Sequence, residues 1–339
     1  MSEATTTTAD SGYDRVWKEI SDLGLDRFAG ELDEFGYTVV PPEIASPNGL
    51  AKKMLEACLD IAERRNGERP DLATGDTHAY LGIETTGTSR KKGNKLKGRM
   101  PEMTDDRDSP VGDVMQCILT EDQVFEEGLM NPVLLALASY LCGYRMVLSG
   151  MACWMKGPNE TPFSLHSDSP EPSPMPPQSF VTQCTYVLTD YNRENGGLVI
   201  VPGSHKLCRH PEPEEARIGE DGNPDAVVVE AKAGSLIVWH GNTWHGSYNR
   251  TAPGLRVSVT NFMVRPFIHK LEELSGNLPQ EMLDRNSPRF ALVTQHGLTP
   301  GRLSQADGQE KVARANKYIA AFEKATGMKY RAGKNDYFN

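Results

Sequence analysis

The chain of 339 residues is 38% apolar and carries a formal net charge of −10. That length and apolar content allow one sizeable core, and the acidic balance excludes broad binding of nucleic acid or anionic membranes, both of which need a positive field. The six cysteines, Cys58, Cys117, Cys142, Cys153, Cys184 and Cys208, form no Cys-x-x-Cys pair, which speaks against a structural zinc site and for reduced, mostly buried thiols in a cytoplasmic chain.

Residues 1–12 are polar, lack the apolar centre of a signal peptide and are expected to be a disordered tail, leaving 13–339 as a single domain. No run reaches the length of a membrane span. Between Tyr13 and Phe35, Val16, Ile20, Leu23, Phe28 and Leu32 recur at near-helical spacing broken by Gly24, which predicts two short helices. A strand follows at 37–40, then a helix over 50–65 with Leu55, Leu59 and Ile61 on its apolar face. Beyond Asn66 the chain turns polar and carries one basic run, Arg90, Lys91, Lys92, Lys95, Lys97 and Arg99. That run reads either as a loop gripping an anionic group, such as the phosphates of a coenzyme A thioester, or as a solvated loop. Gly93 and Gly98 have phosphate-loop spacing, but Arg99 and Met100 stand where Lys and Ser or Thr are required, which excludes a nucleotide site.

Asn131 as cap, Pro132 in first position and Gly143 as terminator predict a buried helix over 132–142. Strand signals follow at 145–156, 180–189, 198–201, 226–230, 236–240 and 255–264, separated by Gly, Pro and Asn clusters. Many short strands with long loops predict a mainly β protein with flanking α-helices, built on a jelly-roll of the double-stranded β-helix, cupin-like type. From 271 the pattern is helical again, ending at 312–322, so the β-helix core is expected at about 145–266 with helical supports on both sides.

Inside that core lies Phe163-Ser164-Leu165-His166-Ser167-Asp168. One residue separates His166 from Asp168, so on an extended or bulged strand both side chains leave on the same side. With a third ligand they would close one face of a non-haem ferrous ion and leave positions open for a co-substrate and oxygen. His-x-Asp alone is a weak signal, since ordinary polar loops contain it. Downstream, Trp244-His245-Gly246-Ser247-Tyr248-Asn249 offers His245, with His240 as a rival close by. Arg256 opens a run in which Arg256, Ser258 and Thr260 share one face and Val257, Val259 and Met263 the other. A guanidinium among apolar neighbours is costly unless paired, and an acidic small molecule would serve.

These segments together resemble the phytanoyl-CoA dioxygenase branch of the Fe(II)/2-oxoglutarate-dependent oxygenases, over roughly 26–266. The matching pieces run in order: Glu31-Leu32-Asp33-Glu34-Phe35-Gly36-Tyr37, the His166-Ser167-Asp168 pair, Asn195-Gly196-Gly197-Leu198 through Pro202-Gly203-Ser204-His205-Lys206, then His245-Gly246-Ser247-x-Asn249 and Arg256. The Asn-Gly-Gly-Leu to Pro-Gly-Ser-His-Lys stretch is the most distinctive. The Pro-rich residues after Asp168 match no particular substrate type.

The resemblance implies His166, Asp168 and His245 as metal ligands. The Gly-Ser-x-Asn tail and the eleven-residue interval to Arg256 favour His245 over His240. It further implies Arg256 on the distal carboxylate of 2-oxoglutarate, a hydrogen bond from Ser247, and Tyr186 either against the co-substrate or packed in the core. Fe(II), 2-oxoglutarate and O2 would then be the cofactors, with succinate and CO2 formed as an unactivated C–H bond of a small, apolar metabolite is hydroxylated or otherwise oxidised. The Asp168 carboxylate separates the chain from related halogenases, which carry a small residue there. His205 is expected to brace its turn, and His269 and His296 to be ordinary histidines. The 169–178 segment, stiffened by proline, would line the substrate entrance with Met175 and Trp154 or act as a rigid connector.

A cupin-like metal-dependent protein without oxygenase activity, a hydrolase, isomerase or binder, is the alternative on the same fold, and Arg256 discriminates against it. A serine hydrolase is weaker still, because Gly203-Ser204-His205 lacks the Gly-x-Ser-x-Gly turn. The expected partner is a small-molecule substrate, with no nucleic acid and no membrane. Nothing in the sequence sets an oligomeric state.

Overall fold

The computed structural model describes residues 12–76, 109–298 and 306–330. The basic run at 90–99 and residues 1–11 of the expected tail lie outside them. Two helices open the described chain, α1 (Gly12–Asp22) and α2 (Asp26–Phe35), separated at Gly24 as the apolar spacing predicts. Next come β1 (Tyr37–Val40), α3 (Pro42–Ala45) and α4 (Leu50–Asn66). β2 (Asp113–Gln116) and α5 (Gln123–Leu129) follow. Sequence reading placed neither of them. α6 (Pro132–Cys142) is capped as expected, the Asn131 side chain accepting from the Val133 N–H at 3.0 Å.

The remaining strands are β3 (Val147–Lys156), β4 (Phe163–His166), β5 (Val181–Val187), β6 (Leu198–Ile200) and β7 (Val227–Val228). They continue with β8 (Leu236–His240), β9 (His245–Ser247) and β10 (Arg256–Val264), before α7 (Gln280–Arg285), α8 (Pro288–Val293) and α9 (Ala306–Thr326). A six-stranded sheet in the order β1-β8-β5-β10-β3-β2 faces a four-stranded sheet in the order β4-β9-β6-β7. This is the expected jelly-roll, with one correction: β1 and β2 come from outside 145–266, so the larger sheet is completed by segments from the helical N-terminal part.

Strand alternation gives the larger sheet two unlike faces. Cys153, Met155, Cys184, Tyr186, Val257 and Val259 point outward and join α1, α2, α4, α5 and α6 in the largest apolar cluster, through Ile20, Phe28, Met54, Phe125 and Leu137. On the other face Arg256 stands opposite Lys156, Ser258 opposite Trp154 and Val187, and Thr260 opposite Ala152 and Thr185. There Val187, Ile237 and Trp239 meet Leu198 and Ile200 of the smaller sheet.

One junction ties the N-terminal segment to the site. Gly36, at φ 80°, follows α2, and its carbonyl accepts from the His240 N–H and the Thr243 hydroxyl, both at 2.9 Å. The Gly203 N–H donates to the Phe35 carbonyl at 2.8 Å, and the His205 ring reaches the Asp33 carbonyl at 3.3 Å. A Cβ on residue 36 would stand 2.5 Å from both His205 Nδ1 and Thr243 Oγ1. Gly36→Ala is therefore expected to lose about 2 kcal/mol or more, from left-handed strain and overpacking together. An unchanged denaturant midpoint for this variant would show that the junction does not support the fold.

Candidate metal centre

β4 ends at His166, whose Cα partner across the smaller sheet is His245, the first residue of β9. The register shifts between Phe163 and His166, so the strand is bulged where the ligand spacing asks for it. Just beyond, the Ser167 hydroxyl and the Ser169 N–H both donate to the Gly241 carbonyl, at 2.9 and 3.1 Å. Anchoring Ser167 to that carbonyl leaves its neighbours His166 and Asp168 free to face His245. A Cβ on Gly246 would overlap the Phe163 carbonyl, so β4 can approach β9 only because glycine follows His245.

One ligand atom each from His166, Asp168 and His245 lies within 4.8 Å of the others. The His166 Nε2 is 3.8 Å from Asp168 Oδ1, and the His245 Nε2 is 3.3 Å from Asp168 Oδ2. Each imidazole places Nδ1 3.0 Å from a backbone carbonyl, that of Ser164 for His166 and of Thr243 for His245. A carbonyl only accepts, so Nδ1 carries the proton and the Nε2 lone pair is turned toward Asp168. Burial, then the neighbouring His245, lowers the His166 pKa to about 4 against the opposing pull of Asp168. The ring is neutral at pH 7, as a metal ligand must be. Two neutral imidazole nitrogens with one carboxylate form the donor set that suits a non-haem ferrous ion.

Arg256 lies on the inner face of the larger sheet, 6% exposed. Its Nη1 donates to the Gly196 carbonyl, its guanidinium rests 4.9 Å from the centre of the Tyr191 ring, and its buried Nε has no partner. Arg250 is close enough that Arg256, after burial, helps push its pKa down to about 10. Arg250 donates to the carbonyls of Gly254, Asn195 and Pro253. Among the described residues no carboxylate pairs with either guanidinium, which leaves room for an anion. Ser247 faces the same way as His245, its oxygen accepting from the buried Lys156 Nζ at 3.0 Å; that ammonium also donates to Pro110 and Tyr248 carbonyls.

Of the two readings of Tyr186, against the co-substrate or packed in the core, the structure shows the second, and Tyr186 is not at this site. It is one residue out of phase: Thr185 and Val187 face the smaller sheet, while Tyr186 faces the helices, fully buried, with its hydroxyl donating to the Gly128 carbonyl at 2.9 Å. Sequence reasoning missed Lys156, Tyr191, Arg250 and Trp239. Extending the alternation of Ala152 and Trp154 by two residues would have found Lys156, but the Trp239 indole N–H, 3.3 Å from Asp168 Oδ2, has no sequence signal.

His240, the rival ligand, is fully used elsewhere. Its Nδ1 accepts from the Asn242 N–H at 3.0 Å, and its Nε2 donates to the Pro177 carbonyl at 3.1 Å. The 169–178 segment is held along this edge by Asn242 on Pro176 and by the Met175 N–H on Cys208, which buries Met175 with its sulfur 3.8 Å from the Ser167 hydroxyl.

Residues 32–258 match the family model for phytanoyl-CoA dioxygenase (PhyH). Among curated proteins, dioxygenase af480 of Aspergillus fumigatus is 29% identical over 172 residues, 50% of this chain and 54% of that protein. Ectoine dioxygenase of Bordetella parapertussis is 33% identical over 108 residues, 26% of this chain and 34% of that one. The chain thus spans about half the length, or less, of these curated relatives. Among solved structures, HygX from Streptomyces hygroscopicus with nickel and 2-oxoglutarate bound has a TM-score of 0.52 at 14% identity, over 74% of this chain and 90% of that one. EvdMO1 has a TM-score of 0.51 at 22% identity, over 72% and 50%. At these identities the likeness is one of fold, the double-stranded β-helix. No helix among the described residues is long and apolar enough to cross a membrane.

The neutral His240 has a consequence for stability. Burial, then the neighbouring His205, lowers its pKa to about 4, below the ordinary 6.5. The unfolded chain therefore takes up this proton first, so the stabilisation is complete above about pH 6.5 and is lost as pH falls toward 4. Metal-free protein is expected to lose about 2 kcal/mol from this group between pH 7 and pH 5. Urea unfolding of His240→Gln should show a shallower pH slope, and an unaltered slope would refute the assignment.

Proposed function

This chain is a member of the phytanoyl-CoA dioxygenase family, and from that premise we propose that it is an Fe(II)/2-oxoglutarate-dependent oxygenase. The observation that carries the reading is the pairing of two things: the His166, Asp168 and His245 donor set at the smaller sheet, and the buried Arg256 on the inner face of the larger one with no carboxylate beside it among the described residues. His166 and His245 would hold the ion through Nε2 and Asp168 through a carboxylate oxygen. Iron, when bound, supplies the activation of O2 that couples oxidative decarboxylation of 2-oxoglutarate to oxidation of the substrate.

The chain's own residues bind, orient and shield. Arg256 would take the distal carboxylate of 2-oxoglutarate in a charge-assisted pair, the unpartnered Nε adding a donor. Ser247, whose hydroxyl oxygen accepts from Lys156, would add a hydrogen bond to that carboxylate. Residues 13–339 would act as one domain, with the smaller sheet packed against the inner face of the larger one to keep water out and the helices supporting its outer face. The substrate in this reading is a small molecule oxidised at an unactivated C–H bond, and the Asp168 carboxylate favours hydroxylation or a related oxidation over halogenation. The charges on Arg250 and Arg256 favour this reading over a metal-dependent hydrolase, isomerase or binder on the same fold, which has no need of them.

Anaerobic titration of the Fe(II)-loaded protein with 2-oxoglutarate is expected to raise the weak visible charge-transfer band of the chelate. His245→Ala and Asp168→Ala should lose it. Arg256→Ala should need about 30-fold more 2-oxoglutarate or beyond, the equivalent of the 2 kcal/mol lower bound for removing one partner of a buried charge pair. Iron bound without any band would overturn the oxygenase reading.

A further inference from the structure

The Asp168 carboxylate is gripped from the opposite sheet. Trp239, on β8, is 5% exposed and stands between Tyr37 and Gln183 on the neighbouring strands. Its ring centre is 5.0 Å from that of His245, and its Nε1 donates to Asp168 Oδ2 at 3.3 Å. One side chain thus packs on one member of the triad and hydrogen-bonds another. An indole nitrogen has a single proton and cannot accept, so this contact fixes the direction in which the carboxylate is held. Leu198 and Ile200 of the smaller sheet share a cluster with Trp239, which limits its freedom to turn away.

From this geometry we propose that Trp239 is a positioning residue that presents Asp168 to the metal as a one-oxygen ligand; the inference rests on the oxygenase reading above. The indole donates to Oδ2, which also lies 3.3 Å from His245 Nε2, and leaves Oδ1, 3.8 Å from His166 Nε2, as the oxygen with no hydrogen-bond donor among the described residues. The count of positions gives this consequence. Three protein atoms on a six-coordinate ion leave three places, two for a chelating 2-oxo acid and one for oxygen. An aspartate bound through both oxygens would take one of these and leave no place for O2 beside the chelate. Trp239 would then protect the vacancy that the chemistry needs, while Trp244, whose Nε1 donates to the Arg209 carbonyl at 2.8 Å, serves only the packing of the smaller sheet.

Metal affinity read by Co(II) titration of metal-free protein separates the possibilities. Trp239→Phe keeps an aromatic ring and removes the donor, and its Kd for Co(II) is expected to rise tenfold to a hundredfold, about the range for losing an outer partner of a ligand. Trp244→Phe, the same change at the packing tryptophan, should bind Co(II) as the wild type does. If His245→Ala loses Co(II) while Trp239→Phe binds it unchanged, the positioning role is wrong and the metal site stands. If His245→Ala also binds unchanged, the metal site itself is wrong. A second measurement does not depend on the folding of Trp239→Phe: among the four tryptophan indole N–H signals of 15N-labelled protein, the one from Trp239 should move in Asp168→Ala. A signal that stays in place would overturn the proposal.

Discussion

Everything at this site follows from the pairing of β4 with β9, which sets His166 directly opposite His245. Two side chains on adjacent antiparallel strands at the same register stand about 5 Å apart at their Cβ atoms, close enough to share one ion. The pairing makes two demands that the sequence meets. β9 must have no side chain where the Phe163 carbonyl passes, hence Gly246. The chain leaving β4 must turn so that Asp168 comes back to the pair, and Ser167 and Ser169 achieve this by donating to Gly241. Residues that look like spacers in the His-x-Asp and His-Gly-Ser motifs are therefore joints.

Charge is distributed between the two facing sheets with a clear division. The metal end has two imidazoles held in one tautomer by backbone carbonyls, together with one carboxylate. The other end has Arg256, Arg250 and Lys156, which donate mainly to carbonyl oxygens. The Gly196 carbonyl that receives Arg256 belongs to the Asn195-Gly196-Gly197 turn, and the Asn195 amide oxygen takes a second bond from Arg250. That turn is shaped by the Asn192 side chain on the Asn195 N–H and by the Asn192 carbonyl on the Gly197 N–H. The most distinctive stretch of the sequence thus supports the cations at its turn, while its strand β6 pairs with β9 and sets Ile200 opposite His245. Carbonyl dipoles orient a guanidinium but do not neutralise it, which leaves the Arg256 end of the site with uncompensated positive charge among the described residues.

Much of this was legible in the sequence. The helical spacing around Gly24, the cap at Asn131, the alternation of Arg256, Ser258 and Thr260, and the His166 and Asp168 spacing all rest on local periodicity. The structure reproduces each of them. What was not legible depends on contacts between distant segments. β1 and β2 complete the larger sheet from outside the expected core, a choice of partner rather than of local pattern. Tyr186 sits in a strand that was correctly expected, yet a slip of one residue reverses its face. Trp239 reads as one more apolar residue in 236–240, because its indole bond is made to a residue 71 positions away.

The two faces of the larger sheet explain how such a site can be kept. The outer face and its helices form the largest apolar cluster, so most of the burial that stabilises the chain lies away from the polar groups. The inner face can then hold an arginine whose Nε has no partner and a tryptophan, Trp154, whose indole nitrogen is buried without one, each an unfavourable group that a ligand could satisfy. The separation is incomplete at one place. Gly36, His205 and His240 lie where α2, the end of β8 and the Pro-rich segment meet, within a few residues of Trp239 and His245. A change there would alter the packing of the N-terminal helices and the position of β8 together, so stability and the geometry around Asp168 are coupled through this junction rather than through the core.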